Sequence, residues 1–171
     1  MADRIGTLQE RIAELLAGLR LGRNDVLICE EQTTMRDPRA AFMVEQVRGI
    51  FETLARSRDV VVPGRLNPRS VQHEVMGLRG RQLKREVVKE VASGIVKSVY
   101  GQTLQEMKFS LTAEHLRRNQ DIVDAILIGS LGLARLRSAA QSGMTPGRLF
   151  EKQQIRSSVR RRVTRSGANR V

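Results

Sequence analysis

The chain has 171 residues, of which 40% are hydrophobic, and a formal net charge of +12 at pH 7. This length suits one ordinary domain, and the hydrophobic content excludes a wholly disordered protein. One cysteine and two histidines exclude a disulfide scaffold and zinc sites of the Cys₂, Cys₄ or His₃ type. The sequence pI near 11.3 favours a polyanionic partner, either nucleic acid or an acidic membrane surface.

The first half of the chain predicts helices that alternate with short strands. Helical spacing of Ile and Leu predicts an amphipathic helix over residues 4–19. After a break at 22–25, the run Val26–Cys29 is apolar throughout and is typical of a buried strand. Pro38 begins a second helix with Asp37 as its cap. Val60–Val62 is then a second apolar run, which predicts another buried strand.

The second half of the chain is predicted to be mainly helical. Pro63–Gly64 ends the second strand, and Pro68 begins a short helix. Residues 82–99 predict a helix that ends at Gly101 and has five inward residues: Val87, Val88, Val91, Ile95 and Val99. A turn capped by Thr112 follows, and a last helix covers about 121–136. Strands that alternate with helices predict an α/β fold with parallel pairing.

A membrane-bound or secreted protein is not expected. The longest apolar run, 125–134, is too short to span a bilayer and contains three small residues, Gly129, Ser130 and Gly132. Charged residues near the start of the chain interrupt any signal peptide. We therefore expect an intracellular protein, in the cytoplasm or nucleoid if the source is a bacterium or a phage.

Positive charge is concentrated at the C-terminal end. Residues 147–171 contain eight Lys or Arg and one acid, Glu151, so they carry +7 of the net charge and leave +5 for residues 1–146. This segment has few large apolar residues, which predicts a disordered basic tail. Its arginines, Arg160, Arg161 and Arg162 above all, are expected to bind phosphates without sequence preference. A tail that only raises solubility is the alternative.

Three carboxylates could hold a divalent cation. Glu30 directly follows the first predicted strand, and ligands bind at the carboxyl ends of parallel strands. Asp121 and Asp124 are three residues apart at the start of the last predicted helix, so they share one face. Mg²⁺ and Mn²⁺ prefer such oxygen ligands, and two ions can activate water for phosphodiester hydrolysis. The alternatives are ordinary ones, a helix cap for the aspartates and a solvated turn for Glu30.

Four segments, in this order, resemble RuvC-type Holliday-junction resolvases. The segment 26–49, VLICEEQTTMRDPRAAFMVEQVRG, resembles the central strand and following helix of that family. The stretch 70–80, SVQHEVMGLRG, resembles the part before the family's basic loop, and 84–91, KREVVKEV, resembles its lysine-bearing helix. QDIVDAILIG at 120–129 resembles the terminal motif with two acids. Together the resemblance covers about residues 5–138.

The resemblance implies a ribonuclease-H-like three-layer α/β fold with mainly parallel strands and flanking helices. It implies a homodimer that binds four-way DNA junctions and nicks them with two Mg²⁺ ions per site, Mn²⁺ being possible instead. Glu30, Asp121 and Asp124 would then be the catalytic metal ligands, and Lys84 would lie beside the scissile phosphate. Basic residues around the glycine-flanked loop would contact DNA, namely Arg79, Arg81, Lys84, Arg85 and Lys89.

One departure from the family limits these expectations. Family members begin with a strand that carries an aspartate before a glycine, and two further strands follow it. Here 29 residues precede Glu30, and they predict a helix and a loop. We therefore expect an N-terminally incomplete nuclease domain at 1–146, followed by the basic tail at 147–171. The alternatives are a non-catalytic DNA-binding relative and, more remotely, an RNA-associated basic protein.

Overall fold

A computed structural model describes residues 2–31, 37–78 and 83–150 of the chain. Six helices and two strands follow one another in the described part: α1 Ala2–Gly18, β1 Cys29–Glu30, α2 Pro38–Arg56, β2 Arg65–Leu66, α3 Pro68–Glu74, α4 Arg85–Glu106, α5 Ala113–Arg118 and α6 Gln120–Gln141. A helical turn covers 146–150. Helix accounts for 70% of the structure.

The predicted ribonuclease-H-like three-layer α/β fold is wrong, because the protein is mostly helical. Among the described residues, the sheet consists of β1 and β2 alone, with two residues in each strand. An isolated parallel bridge joins Val26 to Val61. Parallel pairing of the two apolar runs is therefore confirmed, but two short strands cannot form the central layer of a three-layer fold.

Pro63 and Gly64 explain why the pairing stays short. They lie between the Val61 bridge and β2, and proline has no N–H to donate to a ladder. Gly64 has a φ of +150°, which residues with side chains rarely adopt. Val26 and Val61 are 38% and 41% exposed, so the prediction of buried strands is wrong at these two positions, whereas Val60 is buried.

The chain divides into two compact units, Met1–Arg65 with Arg135–Val171, and Leu66–Ala134. In the first unit α1 packs against α2, and the guanidinium of Arg58 donates to the carbonyl of Ala13 at 3.0 Å. Its buried apolar residues are Ile12, Leu16, Ala55, Val60, Ala139 and Phe150. The second unit buries Leu66, Val71, Ala92, Val96, Leu104, Leu116, Val123, Leu127 and Leu131. The predicted boundary between 146 and 147 is a different division and stays a prediction.

The predicted helix starts are confirmed where a cap was recognised. Asp37 accepts a hydrogen bond from the N–H of Arg39, with Pro38 at the first helical position. Thr112 accepts from the N–H of His115 and begins α5. These side chains satisfy N–H groups that have no partner within the helix.

The predicted end of α4 is wrong, and so is the inward position of Val87 and Val99, whereas Val88, Val91 and Ile95 are half-buried. Gly101 does not stop the helix, which continues to Glu106 and buries Gly101. A methyl group at 101 would lie 3.4 Å from the side chain of Leu111, so this helix packs closely there. The buried residues are Ala92, Val96 and Leu104, whereas Val87 and Val99, predicted inward, are 42% and 65% exposed.

Candidate functional site

The structure places the three predicted metal ligands on two separate elements. Glu30 ends β1 in the first unit and is exposed. Asp121 and Asp124 lie in the first turns of α6, in the second unit, and both are exposed. The helix therefore brings the two aspartates onto one face, as their spacing predicts.

Within 2–31, 37–78 and 83–150, no three His, Cys, Asp or Glu side chains are grouped so that they could hold a metal ion. Gln120 donates to Oδ1 of Asp124 at 3.2 Å, while its own buried amide oxygen has no hydrogen-bond partner in the described part. Magnesium binding stays a prediction.

The basic residues at the start of α4 are partly described. Lys84 is the N-cap residue of α4 without a side-chain capping bond, Arg85 is the first helical residue, and both are exposed. Lys89, one turn further on, is half-buried. Arg79 and Arg81 lie outside the described residues. Positive charge is thus present at this helix start, but the structure does not define a complete basic surface around the predicted loop.

The first residues of the basic C-terminal segment pack within the first unit. Phe150 is 4% exposed, and a Cβ atom at Gly64 would lie 2.8 Å from the Cβ of Phe150, so glycine is needed for this close approach. The guanidinium of Arg135 lies 6.0 Å from the centre of the Phe150 ring and donates to the carbonyl of Leu149 at 3.4 Å. Arg148 is exposed beside this anchor. Arg160, Arg161 and Arg162 lie outside the described residues.

An ion-pair network that the sequence analysis did not identify joins α2 to β2. Arg65 in β2 donates from Nε to Glu52 at 2.6 Å and from Nη1 to Glu45, both on α2. Glu45 also accepts from Arg48 at 2.9 Å, and Arg56 lies 3.8 Å from Glu52. The hydrogen bonds that Arg65 donates to Glu52 and Glu45 raise the pKa of Arg65, and the bond from Arg65 lowers the pKa of Glu45. Glu52 and Glu45 are 13 and 20 residues from Arg65 in the sequence, so the i,i+3 or i,i+4 spacing of a helix could not indicate these contacts.

Cys29 lies in β1, as the predicted strand implied, but it is half-buried and not buried. Burial raises the pKa of the Cys29 thiol, and the negative charge of Glu52 adds to the rise, against the arginines of the network. A raised pKa lowers the fraction of reactive thiolate near neutral pH.

Comparison with known proteins identifies no relative. The chain matches no protein-family model, no curated protein and no solved structure. The resemblance to RuvC-type resolvases therefore rests on the four sequence segments alone and stays a prediction. In the described part, no helix is long and apolar enough to cross a membrane.

Proposed function

We propose that the protein is a non-catalytic DNA-binding protein whose basic C-terminal segment holds the phosphate backbone. The observation that carries this proposal is the separation of charge along the chain. Residues 147–171 have eight basic residues against one acid, and 1–146 carry only +5 over a sixfold greater length. Lys and Arg side chains that replace condensed counterions gain affinity for any nucleic acid of sufficient charge density.

The contacts of the described residues support this assignment of the charge. Several arginines of the first unit have acidic partners, as in the network of Arg65, Glu45 and Glu52. An arginine whose charge is paired with a carboxylate attracts a phosphate less strongly. The segment after Phe150 has a single acid among seven Lys or Arg, so its charge cannot be neutralised within the segment. The Phe150 anchor would fix the point from which this charge extends.

Composition favours a duplex over a single strand. Aromatic residues make up 3% of the chain, and proteins that bind single strands usually stack bases on aromatic side chains. Backbone contacts by arginine need no such residues and carry no sequence preference. We therefore expect duplex and four-way-junction DNA to bind through the same electrostatic contacts.

The test is binding of a fluorescein-labelled DNA duplex to the full-length chain, measured by anisotropy at a series of salt concentrations. With up to eight phosphate contacts, we expect the logarithm of the association constant, plotted against the logarithm of the salt concentration, to have a slope of up to about −7. Replacing Arg160, Arg161 and Arg162 by Gln should weaken binding and reduce the slope by about 3. The matched control also replaces three exposed arginines by Gln. These are Arg4 and Arg11 on α1 and Arg20 just beyond its C-terminal end. Equal effects of the two triple variants on DNA binding would contradict the proposal. Tighter binding of an RNA duplex than of the DNA duplex would favour the RNA-associated alternative.

A metal-dependent nuclease is the second candidate function. It is favoured by the exposed pair Asp121 and Asp124 on one turn of α6. The test incubates a synthetic four-way junction with the protein in Mg²⁺ or in EDTA. Nicking that needs Mg²⁺ and is lost in Glu30→Gln and Asp121→Asn would establish the nuclease, and its absence would leave binding as the function.

A further inference from the structure

Helix α1 has a core-facing side and two further sides of different chemistry. Ile12 and Leu16 are buried and form the core-facing side. A second, apolar–basic side has residues at steps of four, three, four and four, which place them on one side of a helix: Arg4, Leu8, Arg11, Leu15 and Leu19. A third side has acids at steps of seven and four, namely Asp3, Glu10 and Glu14. The arginines and leucines are thus separated from the acids along the whole helix.

The leucines of the apolar–basic side are accessible. Leu15 and Leu19 are 53% and 58% exposed, and Leu8 is half-buried. Leu19 lies just beyond the last residue of α1, but its N–H donates to the carbonyl of Leu15 at 3.0 Å, so it continues the helical turn. Neighbouring exposed apolar side chains with a polar border are typical of a surface that contacts a partner or a membrane.

Positive charge borders these leucines. Arg4 and Arg11 are exposed, and no ion pair among the described residues includes either of them. Arg20 and Arg23, which follow the helix, are exposed as well. The acids of α1 lie roughly a third of a turn away from the apolar–basic side, so they would not face a surface that contacts it. A surface with negative charge outside and an apolar interior would therefore match both the arginines and the leucines.

We propose that the apolar–basic side of α1 binds the surface of anionic lipid bilayers, with Leu15 and Leu19 among the acyl chains and the arginines at the headgroups. A nucleic acid would attract the arginines but has no apolar interior for the leucines, whereas an anionic bilayer has both. A helix at the bilayer surface needs no membrane-spanning segment, so the short apolar runs of the chain do not argue against this contact. Stable attachment usually needs a second signal, and the basic segment 147–171 supplies one from the same unit as α1.

The first test measures co-sedimentation of the full-length chain with vesicles of phosphatidylcholine, either pure or with about 25% phosphatidylserine. We expect binding to the anionic vesicles and binding to the neutral ones that is weaker by about tenfold or more. The double substitution Leu15→Gln and Leu19→Gln should weaken binding to the anionic vesicles about tenfold, because less apolar surface would be buried in the bilayer. Equal binding to both kinds of vesicle, or binding to neither, would overturn the proposal.

The matched control replaces two apolar residues in the second unit, Val99→Gln and Met107→Gln. Val99 and Met107 are 65% and 73% exposed, more than Leu15 and Leu19, so a loss caused by exposed apolar area alone would be at least as large in this control. We expect the control to bind the anionic vesicles like wild type. Equal losses in the two double variants would contradict the assignment to α1, and circular dichroism checks that both variants are folded.

The second test uses the absence of tryptophan from the chain. Leu19→Trp therefore introduces a unique fluorophore on the apolar–basic side of α1. On addition of anionic vesicles its emission should shift to shorter wavelength, and brominated lipid should quench it, because the ring enters the bilayer. Glu10→Trp, on the acidic side of the same helix, is the control and should keep the emission of a ring in water. The same response from both variants, or no response from Leu19→Trp, would overturn the proposed orientation.

Two further measurements separate membrane binding from DNA binding and from self-association. The double variant of Leu15 and Leu19 should bind the labelled DNA duplex like wild type, so either function can fail while the other stands. Sedimentation equilibrium of the lipid-free protein tests whether a second copy covers the leucines instead. A monomer–dimer equilibrium that this variant abolishes, together with no binding to anionic vesicles, would overturn the proposal.

Discussion

Arg65 shows how one residue can join two elements that are distant in sequence. Its guanidinium binds Glu52 and Glu45 on α2, and the side chain of Glu52 is only 12% exposed. A carboxylate held away from water depends on such a partner, because its hydration is largely lost. Neighbouring pairs within α2, such as Glu45 with Arg48, are visible in the sequence as i,i+3 spacing, but the contacts to β2 are not.

We expect Arg65→Met to lower the free energy of unfolding by about 1–3 kcal/mol, because Glu52 would lose its closest partner. Arg56→Met is the matched control, since Arg56 is 56% exposed and lies 3.8 Å from the same carboxylate. This control should change the free energy by less than about 0.5 kcal/mol. Urea unfolding monitored by circular dichroism measures both variants, and equal losses would show that Arg65 has no special role.

We expect Glu45 to contribute to the loss of stability of the protein at low pH. The hydrogen bond from Arg65 lowers the pKa of Glu45 below its ordinary value of 4.5 in the folded state. A lowered folded-state pKa contributes stability that is present above the unfolded-state pKa and is lost as the pH falls through the folded-state pKa. Glu45→Gln should therefore lose less stability than wild type when urea unfolding is repeated below pH 4.5. A Glu45→Gln curve parallel to that of the wild type would refute the argument.

At the scale of elements, α4 shows the limit of periodicity. The sequence contains two adjacent apolar stripes on this helix, one through Val91 and Ile95 and one through Ala92 and Val96. Periodicity identifies a helix with either stripe inward, and the larger β-branched side chains favour the first. In the structure the second stripe is buried, because close packing at Gly101 and Leu104 sets the side that faces the core.

Replacing glycine by alanine inside helix α6 and just after it should have opposite effects on the stability of the protein. Gly129 lies inside the helix with no atom within 4 Å of an added Cβ, so Gly129→Ala should stabilise the protein by about 0.5–1 kcal/mol. Gly143 follows the helix with a φ of +62°, and the N–H of Met144 bonds back to the carbonyl of Ala139 at 2.9 Å. Gly143→Ala should destabilise by about 1 kcal/mol, because alanine is strained in this conformation. Shifts of the same sign in thermal unfolding of the two variants would contradict this account.

At the scale of the whole molecule, Phe150 connects the end of the described chain to its first unit. The ring is buried against Gly64, and Phe150→Ala should lower the free energy of unfolding by about 3–5 kcal/mol. Phe42→Ala is the control, since Phe42 is 63% exposed and its loss should cost less than about 0.5 kcal/mol. Urea unfolding of both variants measures the difference. If the two variants unfold alike, the C-terminal segment is not anchored in this way.

The sequence by itself determined the features that depend on neighbouring residues. Caps at Asp37 and Thr112, the positions of most helices and the concentration of positive charge after Gly147 all follow from local composition and spacing. The parallel pairing of the runs around Val26 and Val61 was also correctly predicted. Only the tertiary structure decided how far that pairing extends, which side of α4 is buried and what Arg65 binds. These outcomes depend on contacts between residues far apart in the chain, which local composition and spacing do not specify.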